Sequence, residues 1–118
     1  MLNQVILVGR LTADPEVKKL ESGKEVLNVT LAVNRSYKNS EGVYETDFID
    51  CVLWNTIATN MNEYCKKGDV VGIKGRIQTD FVEKDDTKKK YTQVIAEKVT
   101  FLSSRSDEIK NEIDKKQE

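Results

Sequence analysis

With 118 residues, 38% of them hydrophobic and 33% charged, the chain has the size and makeup of one soluble globular domain and is too short for two ordinary ones. A formal charge of −1 excludes attraction to a polyanion through a bulk positive field, though not a local basic groove. Histidine is absent, and the two cysteines, Cys51 and Cys65, stand in no metal-ligand spacing. The commonest general base and transition-metal ligand are thereby missing, so buried thiols, no cofactor and no catalysis are expected, with carboxylate chemistry on a hard metal left open.

The opening Met1-Leu2-Asn3-Gln4-Val5 has no basic segment ahead of a long apolar core, and no run approaches the length of a bilayer span, so a cytoplasmic protein without a membrane partner is expected. Leu2 to Leu11 read as a first strand, its apolar run ending at Gly9-Arg10, where a glycine marks the bend of a curling sheet. Asp14-Pro15 starts a turn, and Val17 to Leu20 add a short edge strand before the turn Glu21-Ser22-Gly23-Lys24.

Glu25 to Val33 alternate strictly, with Leu27, Val29, Leu31 and Val33 on one face and Asn28, Thr30 and Ala32 on the other. Asn34 to Val43 then read as a protruding hairpin loop, in which Arg35-Ser36-Tyr37-Lys38 sets a ring between two cations. Such a tip is either a solvated turn or a finger that folds over a bound strand.

Tyr44 to Trp54 form the central strand. Ile49, Cys51 and Leu53 fall on its core face, while Phe48, Asp50, Val52 and Trp54 fall on the other. Two aromatics spaced along one face suit unstacked bases, because every base offers a π-face. The competing reading is a strand buried on both sides between two layers.

After Trp54 the period changes to three and four. Ile57, Ala58, Met61, Tyr64 and Cys65 make an apolar stripe, predicting a helix over Asn55 to Lys67 with Asn55 or Thr56 as its cap and Lys66-Lys67 in its last turn. Asp69 to Val82 form a long strand with Val71, Ile73 and Ile77 on one face and Lys74, Arg76 and Gln78 on the other. Gly72 and Gly75 suggest the kinks of a closed barrel. Glu83 to Lys90 read as a polar connection to the last strand, Tyr91 to Leu102, and Ser104 with Asp107 opens a short helix carrying Ile109 and Ile113.

The fold class is therefore all-β. Strand, strand, strand, helix, strand, strand is the order of a five-stranded Greek-key barrel, the OB-fold, with one helix between strands three and four. Residues 1–103 make the domain and 104–118 a short charged tail, partly helical or disordered.

Four segments in order, MLNQVILVGRLTADPEV, LAVNRSYKN, DFIDCVLWN and YCKKGDVVGIKGRIQT, resemble the bacterial and bacteriophage single-stranded DNA-binding proteins over about residues 1 to 103. The resemblance implies an OB-fold, usually a homotetramer, that wraps single-stranded DNA without sequence preference in DNA replication, recombination and repair. It matches the family's stacking aromatics to Tyr37, Phe48 and Trp54 and a phosphate contact to Lys67. Arg35, Lys38, Lys74 and Arg76 are further candidates for phosphate.

The chain also departs from that family's pattern. A fourth stacking position falls on Val82, with Phe81 one residue early and on the opposite strand face unless a bulge intervenes. Asp50 and Thr56 stand where many relatives carry basic residues, which predicts weaker and less salt-sensitive binding. The tail lacks the Gly-rich linker and the acidic, Phe-ended tip through which many members recruit other proteins, so recruitment of that kind is not expected. Two rivals remain: an OB-fold module for oligomerisation or protein docking, and a nuclease using Asp47 and Asp50 with Mg²⁺, whose spacing sets the two carboxylates on opposite faces.

Overall fold

The computed structural model describes residues 1–103; the tail helix expected from Ser104 lies outside the described residues. The elements are β1 (Val5–Leu11), β2 (Lys18–Lys19), β3 (Glu25–Lys38), β4 (Tyr44–Trp54), α1 (Asn55–Tyr64), β5 (Val70–Lys84) and β6 (Thr87–Ser103). They pair in the order β1-β5-β6-β4-β3-β2, and β1 also pairs with β3, which closes β1, β3, β4, β5 and β6 into a barrel. All pairings are antiparallel except β4 with β6, which run parallel at Cys51 with Val94 and Val52 with Ile95. With α1 between the third and fourth barrel strands, this is the OB-fold expected from the element order.

The alternating rows supply the core. Leu27, Leu31, Leu53, Met61 and Ile73 are fully buried, with Val71 and Cys51 beside them, and each large aliphatic among them contributes about 1.5–3 kcal/mol by leaving water. Ala58, Met61 and Cys65 seat the helix on the barrel, whereas Tyr64 leaves the expected stripe and meets the ring of Phe101 at 5.8 Å on the surface.

Closure needs two close approaches. A Cβ on Gly9 would stand 2.4 Å from the Ala32 carbonyl oxygen, and one on Gly75 would stand 2.1 Å from that of Ile95, so only glycine lets these strands meet. Between Lys74 and Gly75 the β5–β6 register shifts by one residue, which bends β6 across the barrel.

Both hairpins are longer and tighter than the sequence implies. Strand β3 continues to Lys38, so the first loop shrinks to a turn over residues 39–43. There the Asn39 side chain accepts from the Glu41 and Val43 N–H groups at 2.9 and 3.0 Å. The expected polar connection Glu83 to Lys90 is mostly strand. Only Asp85 and Asp86 turn, with φ of 53° and 62°, the left-handed pair that a two-residue hairpin requires.

Candidate nucleic-acid interface

On β4 the expected outward row is present but not uniform. Phe48 is 67% exposed and Asp50 is exposed; Val52 is only 6% exposed, beside Ile95 where β6 joins; Trp54 is 37% exposed. Phe48 and Trp54 lie six residues apart, roughly 20 Å along an extended strand, so one base cannot touch both. Tyr37, 64% exposed, projects from the far end of β3 on the same hairpin.

Local bonds fix the backbone around Trp54. Trp54 pairs opposite Val26, and the Asn55 amide oxygen next to it accepts from the Glu25 N–H at 3.1 Å, tying the start of the helix to the start of β3. Asn55 therefore does not cap α1, whose first turn has no side-chain cap, contrary to expectation. At the other end the helix stops at Tyr64, so Lys66 and Lys67 sit in a separate turn, not in its last turn. The Lys66 N–H donates to Asp69 Oδ2 at 2.9 Å, and the Lys67 N–H donates to Asp14 Oδ1 at 2.8 Å. This leaves the Lys67 side chain exposed beside an acidic neighbour.

Two grooves flank the β4 row. One, of about 350 Å³, is lined by Phe48, Asp50, Ile77, Thr92 and Gln93 among others. The second, of about 280 Å³, runs between the outer row of β3 and β4, with Asn28, Thr30, Asp50 and Val52, and the base of the long hairpin, with Tyr91 and Gln93. Asp50, Thr92 and Gln93 belong to both. In the second groove the Thr30 hydroxyl donates to Asp50 Oδ1 at 2.9 Å, and Thr30 faces Asp50 in the strand register.

The five candidate cations are not gathered there; none lines either groove. Arg35 is held by Asp47, at 2.9 to 3.2 Å, and by Glu45. Its hydrogen bond and charge interaction with Asp47 push the guanidinium pKa up and hold the Asp47 carboxyl below its usual range. Lys38 Nζ lies 5.6 Å from the Tyr44 ring centre. Arg76 donates to Gln78 at 2.8 Å, and Asp80 accepts from both Gln78 and Gln93, a polar chain along the outer row of β5. Lys74 stands on that row opposite Ile6 and Lys98.

Phe81 stays on the strand face opposite Val82, because the β5–β6 register is continuous from Gly75 to Lys84 and no bulge intervenes. Its ring instead carries Lys88 Nζ at 4.7 Å. The thiols of Cys51 and Cys65 are buried, and burial pushes each pKa up to about 11, with Asp50 and Asp69 adding to it, so both are protonated at neutral pH.

The pattern of the Single-strand binding protein family matches residues 2–102. The chain belongs to that family. It is 48% identical over 106 residues to "Single-stranded DNA-binding protein 3" of Listeria innocua serovar 6a, covering 89% of this chain and 66% of that protein. To "Single-stranded DNA-binding protein B" of Bacillus subtilis it is 47% identical, covering 89% of this chain and 94% of that one. To the "Single-stranded DNA-binding protein" of Bacillus cereus it is 49% identical, with 90% and 63% covered. The chain thus spans about two thirds of the Listeria and B. cereus relatives and nearly all of the shorter B. subtilis one.

The sequence pattern does not mark Tyr91, Asn28, Thr30 and Gln93 as lining one groove. Asn28 and Thr30 were legible as the polar row of their strand; that Tyr91 and Gln93 meet them depends on how β6 crosses to β4.

Proposed function

We propose that the protein binds single-stranded DNA without sequence specificity, holding unstacked bases on Tyr37, Phe48 and Trp54 in DNA replication, recombination and repair. The observation that carries this reading is the exposure of all three rings along one hairpin of a barrel in this family. Base stacking on exposed rings tolerates any sequence and contributes about 1–3 kcal/mol per base. Lys38, Lys67, Lys74 and Arg76 meet phosphates around the rim, while Arg35, its donors engaged by Asp47 and Glu45, stiffens the arm that carries Tyr37.

Four copies assemble into a tetramer through the outer face of β1. Ile6 and Val8 stand exposed there, on a strand whose apolar outer row is otherwise left to water. The protein acts by binding and not by catalysis. Asp47 is committed to Arg35 and Asp50 to Thr30, on opposite faces of β4, an arrangement unsuited to sharing one metal ion. Among the described residues no helix is long and apolar enough to cross a membrane.

The test is the anisotropy of a labelled oligo-dT on adding protein, with unlabelled duplex as competitor. A rise that excess duplex leaves in place supports the reading. No rise at low salt would favour a barrel kept for protein docking.

A further inference from the structure

We infer that Tyr44 is a further base-stacking position, at the outer end of the β4 row, with Lys38 beside it for the phosphate of the nucleotide it holds. This inference rests on the single-stranded DNA reading and adds one subsite to it.

Tyr44 begins β4, and strand alternation sets it on the row of Phe48, Asp50 and Trp54. The ion pairs of the arm agree with that placement. Arg35 is gripped by Glu45 and Asp47, the residues that alternate with this row, so that cluster belongs to the reverse face. Tyr44 leaves 56% of its surface in water, close to the 67% of Phe48. It lies four residues from Phe48, roughly 13 Å along the strand, whereas Trp54 lies roughly 20 Å away in the other direction. A DNA strand stacked on Trp54 and Phe48 and continued along the row therefore comes to Tyr44 next.

The charges on this half of the row favour that path. Tyr44, Thr46 and Phe48 face Lys38, Asn34 and Ala32 across the ladder, a set with one cation and no carboxylate. Thr46, midway, is half-buried, and its hydroxyl donates to Asn34 Oδ1 at 2.8 Å, so it raises no obstacle between the two rings. Lys38 Nζ lies 5.6 Å from the centre of the Tyr44 ring, within the range of a cation–π contact. One ammonium covers one face of a ring at most, which leaves the other for a base, and the flexible lysine stem lets the charge follow the adjoining phosphate. The ring also stands on a braced turn. The Asn39 N–H donates to the Val43 carbonyl oxygen at 2.8 Å, and Asn39 Oδ1 accepts from the Val43 N–H at 3.0 Å. A base that lands there has little backbone left to order, which keeps the cost of binding small. Stacking on Tyr44 needs no base edge, so it is as indifferent to sequence as stacking on Phe48.

Two measurements on the full chain test this. Combining Trp54→Phe with Tyr44→Trp moves the only tryptophan to position 44 and keeps an aromatic ring at position 54. Oligo-dT should quench its emission with the same midpoint as the anisotropy of the labelled oligonucleotide, and duplex of equal length should leave it nearly unchanged. In the parent background, Tyr44→Ala and Tyr44→Leu should each weaken oligo-dT binding about five- to tenfold, the low end of the range for one stacked base. Tyr44→Phe, which keeps the ring, should stay within about twofold of the parent. If Tyr44 only braces the turn through Lys38, emission from position 44 stays constant while anisotropy shows oligo-dT bound, and the assignment is overturned. Tyr44→Ala binding within about twofold of the parent overturns it equally, and that comparison decides alone if the double variant does not fold. A parent that binds no oligo-dT overturns the DNA-binding reading itself, a result distinct from the loss of this one subsite.

Discussion

Removing Phe48 and removing Trp54 should have similar effects on DNA binding and different effects on folding. Both rings stand on the outer row of β4, but Phe48 leaves 67% of its surface in water and Trp54 only 37%. Truncating a fully buried aromatic costs about 3–5 kcal/mol, so scaling by the buried share gives roughly 1–1.5 kcal/mol for Phe48→Ala and 2–3 kcal/mol for Trp54→Ala. Loss of one stacked base costs about 1–3 kcal/mol of binding in either case, a five- to 150-fold weakening. Urea unfolding followed by circular dichroism reads the first quantity, and anisotropy of a labelled oligo-dT reads the second. The informative variant is Phe48→Ala, because its fold should survive. A folded Phe48→Ala protein that binds within about twofold of the parent would refute base stacking on this row.

Gly75→Ala should cost about 1–3 kcal/mol in urea unfolding, since the new Cβ would sit 2.1 Å from the Ile95 carbonyl oxygen. Gly72→Ala, whose Cβ meets nothing nearer than 3.7 Å, is the control, and equal effects would contradict the closure argument. Arg35 depresses the Asp47 pKa, so the pair supports the hairpin arm above the ordinary carboxyl value of 3.8 and that support is lost as pH falls below it. Amide NMR shifts from Asn34 to Tyr44 should move more on acidification in the parent than in Asp47→Asn, where Glu41 and Glu45 alone remain to titrate the arm; identical titrations would show that the pair is idle. Light scattering should give four copies of the 13.5 kDa chain, about 54 kDa, and Ile6→Glu should shift it to smaller species. A parent that is monomeric at micromolar concentration would remove the β1 interface.

The barrel was legible wherever one face of an element is buried. The row Leu27, Val29, Leu31 and the pair Cys51, Leu53 lie inside as their alternation requires, because a slip of one residue would turn each row to water. Hairpin lengths were not legible. Arg35 to Lys38 and Glu83 to Lys90 are polar on both faces, so nothing in their pattern separates a solvated loop from a strand arm projecting beyond the core, and pairing with the partner strand decides it. The helix end is not legible for a related reason: Lys66 and Lys67 followed by Gly68 look like a helix C-terminus, yet Asp69 accepts from the Lys66 N–H and builds a separate turn. Within the site, the rings were visible as a row on one strand. The engagement of Arg35 and the grooves that converge on Asp50 were not, because they join residues from two to four strands whose registers no local pattern sets.

The central claim, that bases stack on β4, is tested most directly by the emission of Trp54, the only tryptophan in the chain. Titration with oligo-dT should quench it in a saturable way, and duplex of the same length should leave it nearly unchanged. Emission that stays constant while oligo-dT is shown by anisotropy to be bound would place the DNA elsewhere and contradict the account.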